Sequence, residues 1–239
     1  MSRLLNPEHL ITLGVIALLT AALVVAARVR PGSWTVTACR ALALLILVNE
    51  AGWWVWLALQ HTWSASYALP LQLCDVAAFV AAAALWSRRP LLVELTYFWG
   101  LAGTTNALIS PDLPDHFPSY LFLQYFVAHG GIVAAALLLV IGLRITPRRG
   151  AVARVVALTI ALVVVDAIAN ALTGGNYMYL RYAPDVPNLL DLMGPWPEYI
   201  VWAAGLALAL FVVLDLPFAM RRRAAAAPPP ALRATESHR

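Results

Sequence analysis

The chain has 239 residues, of which 62% are hydrophobic and 12% charged. Soluble domains carry close to half apolar and a quarter charged residues, so a water-soluble core is excluded. All 16 basic residues are arginine and the formal net charge is +4, but the arginines do not interleave with aromatics as a nucleic-acid surface would, which excludes nucleic acid as a partner.

A hydrocarbon core about 30 Å thick needs roughly 20 apolar residues per spanning helix. Seven such runs follow in chain order: His9 to Val29, Thr35 to Gln60, Pro70 to Trp86, Pro90 to Ser110, Ser119 to Leu143, Val152 to Thr173 and Pro197 to Ala219. Helices are the economical choice, because lipid offers no partner to an unpaired backbone group. The pattern predicts an all-α polytopic membrane protein, a bundle of about seven transmembrane helices. Residues 1–219 form the transmembrane domain, and the Ala-, Pro- and Arg-rich residues 220–239 a disordered basic cytoplasmic tail. The first run is longer than a signal-peptide h-region and its arginines follow it, so it reads as a retained helix.

Arginines cluster after the first run (Arg28, Arg30, Arg40), the third (Arg88, Arg89), the fifth (Arg144, Arg148, Arg149, Arg154) and the seventh (Arg221, Arg222, Arg223). The alternate loops carry Asp112, Asp115, Asp185, Asp191 and Glu198, with Arg181 the exception. The positive-inside rule then predicts an outside N-terminus, a cytoplasmic C-terminus and residence in the plasma (inner) membrane. Trp53, Trp54, Trp56, Trp63, Tyr67, Trp196 and Tyr199 crowd the outer ends of the spans, as interfacial anchors do.

Orientation gives each embedded polar residue a depth, at about 1.5 Å of rise per residue. Cys74, Asp75, Asn106, Asp166 and Asn170 fall roughly 5 to 10 Å below the outer surface, and Asn49, Glu50 and His129 at roughly 15 Å. Ionisable groups at such depth face a bundle interior or a wet cavity, so these residues predict an outward-opening polar pocket. The plainer alternative is that they pair with one another to hold helices together. Glu94 and Asp215 lie near the opposite ends of their spans, beside arginine-rich loops, and read as surface ion pairs or snorkelling groups.

Cys39 and Cys74 both sit in apolar runs, with no CxxC or Cys/His metal spacing and no glycine-rich phosphate loop anywhere, so no disulfide framework, metal or other cofactor is expected. A buried cysteine is usually a small hydrophobe, and Cys39 fits that description. Cys74 differs because it shares its depth zone with His129, the one histidine expected inside a span. A thiol in lipid stays protonated, so a nucleophilic role needs such a base nearby.

The segments Leu69–Asp75 (LPLQLCD), Asn106–Pro111 (NALISP), Gln124–His129 (QYFVAH), Thr173–Leu180 (TGGNYMYL) and Leu192–Tyr199 (LMGPWPEY) resemble the YwaF-like family of bacterial integral membrane proteins. The similarity runs from about Asn49 to Trp202. That family is related to an animal transmembrane acyltransferase of ether-phospholipid remodelling and, more distantly, to the androgen-induced-gene hydrolases. The resemblance implies a catalytic cysteine and histidine, whose counterparts are Cys74 and His129. Where the bacterial motif often has histidine two residues before the cysteine, this chain has Gln72.

Three readings follow. The first is a membrane-embedded lipid acyltransferase or ester hydrolase working through an acyl-thioester, on a phospholipid or lysophospholipid. Substrate-contacting candidates are Asn49, Glu50, Gln72, Asp75, Asn106, Gln124, Asp166, Asn170, Asn176 and Tyr177. Among them Asn106, Asn170 or Gln124 would steady an oxyanion, and Asp75 or Asp166 would orient the imidazole. The second is a transporter or channel using Glu50, Asp75 and Asp166. The third is a non-catalytic scaffold or sensor whose outer loop, Gly174 to Pro197, binds a partner or caps the pocket.

Overall fold

The computed structural model describes residues 6–111, 113, 115–184 and 189–226, and every regular element among them is helical. In chain order these are α1 (Pro7–Val29), α2 (Trp34–Leu59), α3 (Leu73–Ser87), α4 (residues 90–109), α5 (Tyr120–Gly142), α6 (Ala151–Thr173) and α7 (Glu198–Ala226). Short 3₁₀ turns occupy Tyr177–Tyr179 and Leu189–Met193. The seven-helix architecture expected from the apolar runs is therefore present. Helices α1, α2, α5, α6 and α7 are each long and apolar enough to cross a membrane, while α3 is shorter.

Local chemistry sets the helix ends. Asn6 caps α1 by accepting the Glu8 amide at 3.2 Å, with Pro7 pre-set in the first turn. Gly174, at φ +74°, ends α6 in the left-handed conformation that costs glycine nothing, and its amide donates back to the Asn170 carbonyl. Helix α3 starts at Leu73, not at Pro70 as its apolar run predicts, because Gln72 is its cap: the Gln72 amide donates to Asp75 Oδ2 at 3.2 Å. Helix α7 runs to Ala226, past the expected end at Ala219, so Arg221, Arg222 and Arg223 are helical. Alanine and arginine are strong helix formers, and Arg222 is tied to Asp215 and to the Pro147 carbonyl. Residues 227–239 of the expected tail, and Asp112 and Asp185 of the outer loops, lie outside the described residues.

Helix α4 is built in three pieces, Pro90–Phe98, a π-helical turn at Trp99–Thr104, and Thr105–Ile109. The wide turn shifts carbonyls to amides five residues on, as from Thr105 N to Gly100 O, and side chains add to these bonds. Thr104 donates to Trp99 O and Thr105 to Gly100 O, each five residues back. π-turns of this kind recur at functional sites.

Helix α5 is the most buried of the long helices and packs against α2, α3 and α4. Small residues allow the approach: a Cβ on Gly131 would lie 2.9 Å from Ile46, and one on Gly100 3.3 Å from Ile132 and Ala136. Such close backbone contact is how helices gain packing energy where lipid removes the hydrophobic drive. Helices α1, α6 and α7 are peripheral and show lipid a surface of large apolar side chains, among them Leu18, Val164 and Val201.

The arginine-rich end corrects one sequence expectation. Glu94 is fully buried, not a surface ion pair. Its Oε1 accepts from the Arg148 amide, Arg148 Nε and Arg154 Nη2 at 2.8–3.0 Å, and its Oε2 from Arg148 Nη2 and Arg154 Nε at 3.0–3.2 Å. One carboxylate thus clamps the loop between α5 and α6 onto α4. Asp215 does form the expected ion pair, with Arg222 at 2.7 Å.

Candidate functional site

The opposite end of the bundle is assembled around the first turn of α3. Ahead of it, residues 64–72 form tight turns, and the loop after α6 folds down onto them. Tyr177 is fully buried there; its hydroxyl donates to Ala65 O at 2.7 Å and accepts from Leu69 N at 3.0 Å. Burial holds this phenol above its ordinary pKa, so it remains a hydroxyl. Gln72 Oε1 accepts from Met178 N at 2.9 Å, and Asn170 holds both backbone groups of Tyr177. These bonds keep Met178 and Tyr179 at φ 53°, a conformation costly for residues with a side chain. Gly175 is required where it stands, because a Cβ there would collide with the Ser66 carbonyl oxygen.

Under this cap, Cys74 projects from the first turn of α3 and His129 from the middle of α5. The Cys74 thiol lies 3.9 Å from the Thr104 hydroxyl, at the end of the π-turn. His129 Nδ1 lies 2.7 Å from the Tyr125 carbonyl, and the ring stacks on Tyr125 with centroids 4.1 Å apart. A carbonyl can only accept, so Nδ1 carries the proton, and Nε2 of the neutral ring presents its lone pair. That is the tautomer a general base needs.

Two contacts fix how α5 and α4 run past each other. Ile132 and Ala136 face Gly100, and the Tyr125 hydroxyl donates to Ala107 O at 2.9 Å. Interpolating along these antiparallel helices puts His129 opposite residues 103–104, the turn that the Cys74 thiol touches from α3. Cys74 and His129 are thus at a common level of the bundle, on neighbouring helices. No hydrogen bond joins them among the described residues. Both side chains are half-buried.

The remaining candidates divide by what already occupies them. Asn49 Nδ2 donates to Gln124 O and ties α2 to α5. Asn170 is spent on Tyr177, and Asn176 binds Tyr182 O and the Arg181 amide within its own loop. Asp75 caps α3, and neither it nor Asp166 bonds the imidazole, whose orientation comes from Tyr125. The Gln124 side chain is half-buried and Asn106 is exposed. Glu50 is buried on α2, and Asp166 is fully buried on α6 with neither carboxylate oxygen hydrogen-bonded among the described residues. Those two acids carry no ion pair there, and no His/Cys/Asp/Glu group of metal-binding geometry occurs among the described residues.

Thr104 and Tyr125 were not legible as site residues. A threonine and a tyrosine in an apolar helix carry no spacing signal, and only the π-turn and the ring tautomer single them out. His9, expected at a span end, is buried and packs its ring 5.8 Å from Phe126. The aromatics expected as interfacial anchors also brace this end: Trp54 donates to Ala68 O, Trp196 to Leu180 O and Tyr199 to Tyr179 O.

The model of one protein family, described as the TMEM164 family, matches residues 4–215. No curated protein and no solved structure matches the chain.

Proposed function

Because this chain belongs to the TMEM164 family of membrane proteins, we propose that it moves acyl groups on membrane lipids, with Cys74 as nucleophile and His129 as base. What supports the reading is a half-buried thiol beside the π-turn of α4 and, on the neighbouring helix α5, a half-buried imidazole whose Nδ1 faces the Tyr125 carbonyl.

In this mechanism His129 Nε2 takes the thiol proton and the thiolate sulfur attacks the ester carbonyl of a phospholipid. The tetrahedral intermediate collapses, the ester C–O bond breaks, and the departing lysolipid alkoxide takes the proton back from His129. The acyl group now sits on Cys74 as a thioester. A second hydroxyl, from a lysolipid or from water, gives its proton to His129 and attacks, and the thiol regains that proton as sulfur leaves. The Thr104 oxygen, whose own proton goes to Trp99 O, is left to accept from the Cys74 thiol and orient it. The arginine-rich end faces the cytoplasm on this reading, and the capped site opens toward the outer leaflet. The YwaF-like sequence motifs support the same chemistry.

Lipid analysis of cells producing wild type, Cys74→Ala, His129→Ala or the control Cys39→Ala tests the proposal. Altered acyl composition with wild type and Cys39→Ala, abolished in the other two, is expected. Identical lipids in all four cultures would overturn it. Labelled lysolipid acceptor then separates transfer from hydrolysis.

The unpaired Glu50 and Asp166 favour a second reading, proton or cation transport. Flux in proteoliposomes that Glu50→Gln abolishes and Cys74→Ala leaves intact would replace the first reading with this one.

A further inference from the structure

A groove of about 450 Å³ lies open at the arginine-rich end, away from Cys74 and His129. Phe79, Ala82, Ala83 and Trp86 line it from one face of α3, with Leu47 of α2 beside them and Arg89 at its end. Those four α3 residues span about 10 Å at helical rise. The two alanines give the groove its depth, since larger side chains there would fill it. From α2, the Arg40 guanidinium carbon sits 5.3 Å from the centre of the Trp86 ring.

These two arginines differ from the carboxylate-bound ones of the same end. Arg148, Arg154 and Arg222 bind carboxylates, and Arg28 donates to Ile141 O. Arg40 and Arg89 are exposed, and apart from the Trp86 ring their guanidinium groups have no partner among the described residues. Residues 31–49 and 76–93, which supply the groove and its surroundings, contain no Asp or Glu. Glu94 is enclosed by its own two arginines. An apolar channel thus ends between two unneutralised cations at the membrane boundary.

We propose that this groove binds one anionic glycerophospholipid, its phosphate between Arg40 and Arg89 and an acyl chain along the Phe79-to-Trp86 face. A zwitterionic lipid fits less well because its ammonium group would meet only cations. Each arginine beside an anionic headgroup contributes a factor of about five in affinity, so the pair discriminates by about tenfold or more.

Native mass spectrometry of the full chain in detergent, supplied with equal phosphatidylglycerol and phosphatidylcholine of matched chains, tests this. Wild type should retain one phosphatidylglycerol with about tenfold preference. The Arg40→Gln/Arg89→Gln variant should lose the preference, and Arg221→Gln/Arg223→Gln should keep it. Ala83→Phe, which fills the groove and leaves both arginines, should lose the retained lipid, and it decides the matter if the arginine variant does not fold. Equal retention of both lipids by wild type, meaning an unselective annulus, overturns the proposal. So does a preference that survives Ala83→Phe or that follows Arg221 and Arg223 instead.

Discussion

The two ends of this bundle treat buried charge in opposite ways. At the arginine-rich end Glu94 is surrounded by five donated hydrogen bonds from Arg148 and Arg154, and Arg222 joins Asp215 to the loop carbonyl of Pro147. At the other end Tyr177, Gln72, Asn170 and Asn49 hold the turns together, Asp75 and Glu8 serve backbone amides, and Glu50 and Asp166 are embedded with no ion pair among the described residues. A charge that is clamped builds architecture. One left unpaired in a costly environment is retained for something else.

The largest expected effect follows from the clamp. Glu94→Gln leaves two arginines facing a neutral amide, and removing one partner of a buried ion cluster costs several kcal/mol. Arg148 and Arg154 keep 49% and 36% side-chain exposure and regain water, which sets the loss near the lower end, at about 3 kcal/mol. Unfolding of the purified chain in detergent measures it. A loss under about 1 kcal/mol would show that water, not Glu94, satisfies these arginines, and the contrast between the ends would fail.

Next come the neutral contacts of the cap. Gly175→Ala forces a methyl against the Ser66 carbonyl, a backbone atom that cannot turn aside, for about 2 kcal/mol. Tyr177→Phe removes the hydroxyl that serves Ala65 and Leu69, at about 1 kcal/mol. Both changes should speed hydrogen exchange over residues 64–72 while exchange near Arg148 stays unchanged. Simultaneous loosening at both ends would mean one cooperative lattice in place of two independent ones.

How much of this was legible in sequence depends on range. The spans were, because an apolar run of membrane length states its own secondary structure. The start of α3 was not: Pro70 and Leu71 are as apolar as a helix start, and they lie outside it because Gln72 and Asp75 cap the helix at Leu73 while Leu69 and Gln72 are bonded to Tyr177 and Met178, more than a hundred residues away. Cys74 and His129 stood out through depth, yet Thr104, beside the Cys74 thiol, was hidden because a π-turn has no residue signature. Glu94 was misjudged for the same reason, since closeness to arginines in the chain reveals nothing of enclosure. The bonds of Asn49 to Gln124 O and of Asn170 to Tyr177 were not legible either, because their partners lie in other segments.

The smallest expected effect is the sharpest test of the contrast. Asp166 is as buried as Glu94, but neither of its oxygens has a partner among the described residues, so no bond seen there is broken when it becomes an amide. Asp166→Asn preserves shape, and an amide is less costly than a carboxylate to hold away from water. Stability should stay within about 0.5 kcal/mol of wild type or rise, against the large loss for Glu94→Gln measured identically. If lipid turnover falls in Asp166→Asn while stability holds, the acid serves function in the way the clamped one serves architecture. A destabilisation matching that of Glu94→Gln would instead require a partner for Asp166 in the folded protein, and the two ends would no longer differ in kind.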